Sequence, residues 1–283
     1  MSGVLVTGGT GKTGGALADL LRRRDVVVRV GSRHPASGGP DAVRFDWDDA
    51  TTYAPALHGT DRVYLVPPPS AIDPLPVVGP FLAEAERAGV RRVVLLGSAV
   101  EFPDAPGRLE LEDEVRRRPG GVVLRPSGFM QNFLRPHPTA LSIRDRGEIR
   151  TSAGSGRLGW IDVRDVAAAA AAVLGDPARE VDGDQVLTGP EALSYADAAE
   201  VIAAGTGRPV RVVDVDVDEV AAHFRELGVP ASFADTLAGA EIGVGKGDAD
   251  RVTTAVADLT GHPPRSFADF VREHVDEWAA PAT

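Results

Sequence analysis

A doubly wound parallel sheet of the α/β class is what this 283-residue sequence predicts, and three observations predict it. The N-terminal run Val4-Leu5-Val6 meets a glycine-rich turn, Thr7-Gly8-Gly9-Thr10-Gly11-Lys12-Thr13-Gly14-Gly15, that passes into a helical pattern. Further apolar runs and helical stretches alternate along the chain, without an internal repeat or a long linker. Several of the runs are apolar almost throughout, as strands covered on both faces must be.

The turn dictates what is bound. Glycine lets backbone approach a ligand where a Cβ would block it, and the free N–H groups and positive dipole end of the helix that follows attract a phosphate. Gly11-Lys12-Thr13-Gly14 looks like the end of a Walker A loop, but that loop needs a glycine five positions before the Gly-Lys-Thr glycine, where this chain has Val6. Gly9, Gly11 and Gly14 instead satisfy the dinucleotide fingerprint G-x-G-x-x-G, and Gly8, Gly11 and Gly14 its T-G-x-x-G-x-x-G variant from Thr7. The fold class is therefore a Rossmann-type doubly wound parallel sheet. Gly8, Thr10, Gly11, Lys12, Thr13 and Gly14 are assigned to the cofactor phosphates, with Lys12 as an extra cation.

Lys12 to Arg24 reads as an amphipathic helix and Val26 to Val30 as the second strand. In an NAD-binding unit an acid near the end of that strand accepts hydrogen bonds from the adenine ribose. Gly31-Ser32-Arg33-His34 holds the place here without an acid. A carboxylate would repel a 2′-phosphate whereas Arg33 offers planar, charged donors for it, so the expected cofactor is NADP(H). A solvated loop cation is the alternative at Arg33. Ala42 to Asp48 is a short third strand that sets Asp46 and Trp47 at the adenine end, and Ala50 to His58 a short helix.

Asp61 to Val66 is a fourth strand, stopped by Pro67-Pro68-Pro69. A helix over Leu75 to Ala88 and a fifth strand over Arg92 to Ser98 follow. Ligands gather beyond the carboxyl ends of such strands, which assigns Val66, Pro67 and Ser98 to the cofactor and Pro68 to a substrate pocket; Ser98 fits a structural strand-ending serine equally well. Arg108 to Arg118 is a charged helix and Gly121 to Arg125 a sixth strand. The loop Pro126 to Phe133 offers Phe129, Asn132 and Phe133 as pocket lining, with core filling as the alternative.

Farther on come Trp160-Ile161-Asp162-Val163, an alanine-rich helix over Arg164 to Leu174, and Gln185 to Thr188. Ser194 caps a helix over Tyr195 to Ala204. A strand at Val210 to Val215, helices near Glu219 to Leu227 and Ala231 to Ala240, a loop at Gly243 to Gly247 and a last helix over Ser266 to Ala279 complete the reading. One domain, 1–283, is expected, with a small C-terminal substrate lobe drawn mainly from 127–157 and 190–260.

Composition narrows the partners. Lys plus Arg number 30 against 41 Asp plus Glu, and a net charge of -11 argues against a general affinity for nucleic acid or an anionic membrane. The absence of cysteine removes disulfides, thiolate metal sites and cysteine nucleophiles. The six histidines have no ligand spacing, so no metal site is expected. The longest apolar run, Val166 to Leu174, is too short to span a bilayer, and no signal pattern precedes the first strand. A cytoplasmic monomer or homodimer acting on a small molecule is the expectation.

The glycine turn, Ser32-Arg33, Val66-Pro67-Pro68-Pro69, Arg125-Pro126-Ser127-Gly128-Phe129-Met130-Gln131-Asn132-Phe133, Trp160-Ile161-Asp162-Val163-Arg164-Asp165-Val166-Ala167 and Leu259-Thr260-Gly261-His262-Pro263-Pro264-Arg265-Ser266-Phe267 together resemble the NmrA-like atypical short-chain dehydrogenase/reductase family. Within it the chain is most similar to the ergot-alkaloid-type (agroclavine/festuclavine dehydrogenase) reductases and their bacterial relatives. Typical short-chain dehydrogenases carry Y-x-x-x-K. The tyrosines here are Tyr53, Tyr64 and Tyr195 and the lysines Lys12 and Lys246, with no such pair, and the helix that should carry it reads Leu109-Glu110-Leu111-Glu112-Asp113-Glu114-Val115.

That departure selects the chemistry. Hydride addition to a ketone leaves an oxyanion, which calls for a proton donor or a stabilising group. Addition to an iminium gives a neutral amine, so positioning suffices. The expected function is an NADP(H)-dependent oxidoreductase that reduces a C=N (imine/iminium) or activated C=C/C=O bond of a small, secondary-metabolite substrate, with Ser98 and Asn132 as catalytic candidates. A non-enzymatic NADP-binding redox sensor of NmrA type, or a redox-neutral isomerase or cyclase that retains NADP(H), are the alternatives.

Overall fold

The computed structural model describes residues 3–35, 39–68, 71–102, 105–176, 178–181, 183–226 and 228–279. In chain order the strands are β1 (Gly3–Val6), β2 (Val27–Ser32), β3 (Ala42–Arg44), β4 (Arg62–Leu65), β5 (Arg92–Leu96), β6 (Gly121–Pro126), β7 (Glu148–Thr151), β8 (Arg157–Leu158), β9 (Asp184–Leu187), β10 (Leu193–Ser194) and β11 (Arg211–Asp214). The helices are α1 (Lys12–Arg22), α2 (Tyr53–Leu57), α3 (Leu75–Arg87), α4 (Gly107–Arg116), α5 (Pro138–Arg146), α6 (Val163–Gly175), α7 (Tyr195–Thr206), α8 (Val217–Glu226), α9 (Ala231–Gly245), α10 (Ala255–Thr260) and α11 (Phe267–Glu273).

Seven strands form one parallel sheet in the order β3-β2-β1-β4-β5-β6-β9. The order reverses between β1 and β4, and that break opens a crevice at the carboxyl ends of the strands. Successive side chains of a strand point to opposite faces. Val4, Val6, Val28, Val30, Tyr64 and Val94 accordingly meet α1, α6 and α10, while Leu5, Val63, Leu65, Val93 and Leu95 meet α2, α3 and α4. Each fully buried aliphatic side chain contributes about 1.5–3 kcal/mol. In α6, Ala167, Ala169, Ala170 and Ala171 are all fully buried, so small side chains let that helix lie close to α1.

The amino ends of the strands are closed by ionic contacts. Arg62, buried beside Asp61 at 3.0 Å, donates to Leu174 O. Arg92 donates to Val173 O at 2.8 Å and Arg179 O at 2.7 Å. Two guanidinium groups thus meet the negative dipole end of α6.

A second core collects Met130, Phe133, Ile149, Trp160, Ile202, Phe267, Phe270 and Trp278. Over it lie a parallel pair, β7 with β11, and an antiparallel pair, β8 with β10. Ser194 caps α7 as expected, in a full capping box with Asp197: Ser194 Oγ accepts from Asp197 N at 3.1 Å and Asp197 Oδ2 from Ser194 N at 2.8 Å.

Several expected elements change. The third strand stops at Arg44, and Ala50 to His58 is a 3₁₀ turn followed by the short α2. The last helix ends at Glu273 and resumes as 3₁₀ over Val275–Trp278. The loop expected at Gly243 to Gly247 is helical as far as Gly245, because α9 passes a tight spot where small residues are needed: a Cβ on Gly156 would stand 2.3 Å from Val244 O. Helices α5 and α10 and strands β7, β8 and β10 were not expected. Pro69 and Leu227, named in the sequence reading, lie outside the described residues. Among the described residues no helix is long and apolar enough to cross a membrane.

Candidate functional site

The site is built at the carboxyl ends of the strands, from the glycine turn outward. Gly8 has φ +62°, a left-handed conformation that favours glycine, with the Val66 side chain packed against it. Thr7 ties the turn to β4: its Oγ accepts from Val66 N at 2.7 Å and donates to Tyr64 O at 3.1 Å. Gly11 precedes α1 in an extended conformation, no side chain caps the helix, and its first turn holds no acid. Thr10, Gly11 and Lys12 are exposed around these N–H groups, whereas Thr13 and Gly14 are buried. A Cβ on Gly11 would meet only Gly8 O, at 3.1 Å, and otherwise fill the open cradle. The donor set and the open space fit a dinucleotide's phosphates.

The adenine side is equally accessible. Arg33 is exposed just beyond β2 and makes no hydrogen bond or ion pair among the described residues, while Ser32 Oγ accepts from His34 N at 3.1 Å to shape the turn. Asp46 is half-buried, its Oδ1 accepting from Asp48 N at 3.2 Å. Trp47, also half-buried, stands edge-on to Phe45 at 4.8 Å and to Phe81 at 5.4 Å between ring centroids. Its ring is therefore anchored in an aromatic cluster.

Across the crevice, Lys12 Nζ reaches Gln131 O at 3.4 Å, linking the cofactor turn to a segment 119 residues away. Protein packed around this ammonium lowers it below its ordinary value. Gln131 Nε2 donates to Asp162 Oδ1 at 3.0 Å, and Gln131 Oε1 accepts from Val163 N at 3.0 Å. Asp162 is fully buried, caps α6, and takes Arg164 Nη2 at 2.6 Å. The two motif segments around Gln131 and Asp162 therefore serve mainly to lock each other in place. His137 stands at the same end, its Nδ1 accepting from Thr139 N at 3.2 Å. Burial, with the Lys12 charge, lowers it to about 3, so its imidazole is neutral at physiological pH.

Of the residues expected to meet the substrate, Phe129, Asn132 and Pro68 are half-buried at the crevice. The Asn132 side chain makes no hydrogen bond among the described residues, and its backbone N donates to Phe129 O at 3.0 Å. Phe133 needs correcting. It is fully buried, edge-on to Trp160 and Phe267 at 5.0 Å each, and belongs to the second core rather than to a pocket wall. Ser98 ends near β5, but its hydroxyl donates to Val100 O at 2.8 Å and accepts from Val100 N at 3.1 Å, holding its own turn.

Beside Pro67 and Ser98 a small cavity of about 140 Å³ opens between β5 and α4, lined also by Phe102, Arg108, Leu109 and Glu112. Sequence reading missed it: Arg108 is just one charge in a charged helix until α4 is placed against the strand ends. Leu111 and Val115 of α4 are buried against the sheet, at 1% and 0% exposure. Glu112 is buried behind Gly97 and pushed up by that burial, although Arg125 and Arg116 oppose the rise.

Residues 8–177 match the NAD(P)H-binding family. The chain is 39% identical over 278 residues to an uncharacterized oxidoreductase, YesF, of Bacillus subtilis, covering 98% of this chain and 96% of that one. It is 36% identical to an agroclavine dehydrogenase of Claviceps fusiformis, covering 97% and 98% of the two chains. Among solved structures, the NADPH-dependent quinone oxidoreductase of Escherichia coli complexed with NADPH shares the fold with a TM-score of 0.81 at 23% identity, covering 95% of this chain and 99% of that one.

Proposed function

The chain belongs to the NAD(P)H-binding oxidoreductases of Rossmann type, and on that premise we propose that it is an NmrA-like, NADP(H)-dependent reductase of a C=N or conjugated C=C bond that works without a tyrosine-lysine acid. The observation that carries this reading is the makeup of α4, whose sheet-facing Leu111 and Val115 are buried aliphatic groups, in a chain without any Tyr-x-x-x-Lys spacing. Reduction at such a site depends on holding the acceptor carbon against the nicotinamide. Bound NADPH supplies the hydride. Gly8, Gly11 and Lys12 hold its phosphates, Arg33 its 2′-phosphate, and Pro67 and Phe129 flank the nicotinamide end.

The test is to follow NADPH at its absorbance band against imines, quinones, enones and ketones. Turnover confined to imines, quinones and enones supports the reading. Binding without turnover across the whole panel points instead to a redox sensor.

Arg33→Glu is expected to weaken NADPH about 30- to 100-fold, as loss of a charge-assisted bond predicts, and to change NADH affinity less than threefold. Quenching of the tryptophans Trp47, Trp160 and Trp278 measures both. Equal affinity of the parent protein for the two nucleotides would remove the Arg33 assignment.

Ser98→Ala is expected to leave kcat/KM within about threefold, because the hydroxyl is held by Val100. Asn132→Ala, which removes an amide with no hydrogen-bond partner among the described residues, is expected to lower it about tenfold, the size of one hydrogen bond to substrate. The reverse order of effects would exchange their roles.

A further inference from the structure

We infer that His137 is a hydrogen-bond donor to the substrate, its Nε2–H meeting the heteroatom that takes the electron pair when the double bond is reduced. The inference rests on the reductase reading above.

Three contacts set the position. Residues Met130–Phe133 form a 3₁₀ turn after β6, and Lys12 Nζ ties that turn to the glycine turn through Gln131 O at 3.4 Å. The chain then bends back, His137 N donating to Leu134 O at 3.0 Å, and the imidazole comes near enough to Lys12 for the ammonium charge to act on it. Phe224 of α8 stands edge-on to the ring with 6.0 Å between centroids and limits its swing.

The cap of α5 sets the tautomer. His137 Nδ1 accepts from Thr139 N at 3.2 Å, and a backbone N–H can only donate. The single proton of the neutral ring therefore sits on Nε2. A second proton on Nδ1 would turn two hydrogens against each other and break the cap. Burial and the Lys12 charge act in the same direction. Nε2 makes no hydrogen bond among the described residues and stays open to solvent in a half-buried side chain. Ser, Thr, Asp and Asn are the usual capping residues. An imidazole adds what capping does not call for, a second nitrogen held away from the helix.

The neighbours fit this role. Lys12, Asn132 and His137 bring donors to this corner, and Phe129 and Phe224 bring aromatic rings. Such groups select a substrate atom that carries a lone pair. Hydride addition to carbon sends the electron pair of the double bond to the heteroatom, directly in C=N and through conjugation in C=C. The reduced nicotinamide supplies the hydride and is oxidised. His137 Nε2–H donates to the growing lone pair and keeps its proton, because an imidazole anion is a poor place for the charge; water supplies the proton that the product gains.

The experiment uses the full chain with His137→Asn and His137→Gln. Asn places Oδ1 where Nδ1 caps α5 but reaches no farther; Gln reaches the place of Nε2 and caps poorly. Titration of 4-nitrophenolate into the NADP⁺ complex reads the donor without turnover, through affinity and the blue shift of the phenolate band on accepting a hydrogen bond. His137→Asn is expected to weaken the phenolate about tenfold or more and to remove most of the shift, with NADPH affinity within about twofold of the parent. His137→Gln is expected to keep phenolate affinity within about threefold while melting about 2–4 °C lower than His137→Asn. A role confined to capping predicts the reverse order. That result, or failure of the parent to bind the phenolate, overturns the inference.

Turnover is read with 3,4-dihydroisoquinoline, kept above its own titration, and with its N-methyl iminium, which has the same frame and no lone pair on nitrogen. His137→Asn is expected to lower kcat/KM about 10- to 100-fold for the neutral imine and less than about threefold for the cation. Equal losses on both overturn the inference. Phenolate binding that needs His137, with neither compound reduced, upholds the donor and removes imine reduction from the reductase reading. Reduction of the neutral imine with rate and phenolate binding unchanged in His137→Asn overturns the donor and spares that reading.

Discussion

Gly14→Val is expected to abolish measurable NADPH binding and to lower the melting temperature by about 5 °C or more. The atoms a Cβ would meet are all backbone: Gly8 O at 2.4 Å, Gly9 Cα at 2.9 Å and Gly8 C at 3.0 Å. Backbone cannot rotate away as the tip of a side chain can. The turn is held on one side by the Thr7 bonds to β4 and on the other by α1, whose Leu17 and Leu21 are buried in the sheet core. Valine adds two methyl groups to the clash. Overpacking of this kind costs about 1–3 kcal/mol and sometimes more, and about 1 kcal/mol moves the melting temperature of a chain of this size by roughly 2–4 °C. The cofactor loss is larger, because a displaced turn no longer aims its N–H groups at one point. Gly11→Ala is the informative contrast: its Cβ would meet only Gly8 O, at 3.1 Å, so the fold should stay largely intact while affinity falls. Tryptophan quenching and a thermal melt read both variants, and parent-like NADPH affinity in Gly14→Val would refute the assigned geometry.

Asp162→Ala is expected to have the largest effect on stability, about 2–4 kcal/mol, from the lost cap of α6 and a buried Gln131 amide left without its acceptor. The carboxylate is fully buried and receives Gln131 Nε2, Arg164 N and the Arg164 guanidinium together. Truncation strands the Gln131 amide, uncaps α6 and leaves Arg164 to Glu273 among the described residues. Urea unfolding measures the loss, and a midpoint unchanged from the parent would contradict it. The same group sets an acid limit. Burial acts to raise its carboxyl, but the Arg164 bonds outweigh burial and hold it below the usual carboxylate range. Its folded value being the lower one, the stabilisation is complete above the unfolded carboxylate value and is lost as pH falls through the folded value. Asp162→Ala should therefore lose less stability than the parent over that acid window.

The dinucleotide half was legible because its signals are local. Glycine spacing, the missing acid after β2 and apolar runs of strand length all lie within a few residues of what they specify, and so does the Ser194 cap with Asp197 three residues on. The second half depends on contacts remote in sequence. Phe133 sits in a short apolar loop that fits a pocket wall or a core, and what decides is Trp278, whose indole Nε1 donates to Phe133 O at 2.8 Å from 145 residues away. Gly245 looks like a loop residue unless one knows that α9 must pass close to Ala153 and Gly156. Helix α5 was concealed by the proline-rich 136–138 stretch, although Pro138 at its first turn, with His137 as the cap, is a start signal. Ser98 shows the limit at single-residue scale, since a hydroxyl at a strand end reads the same whether it faces a ligand or its own turn.

The guanidinium plugs at the amino ends of the strands, Arg62 and Arg92 on the carbonyl end of α6, give the molecule a division of labour. These ties lie at the edge remote from the crevice, beside an α6 face buried along the sheet, so they hold helix to strands without using any residue of the site. Loops at the opposite edge can consequently change in sequence without loosening that joint. Such polarity makes a scaffold evolvable: acceptor preference can drift at one rim while the other keeps the sheet assembled.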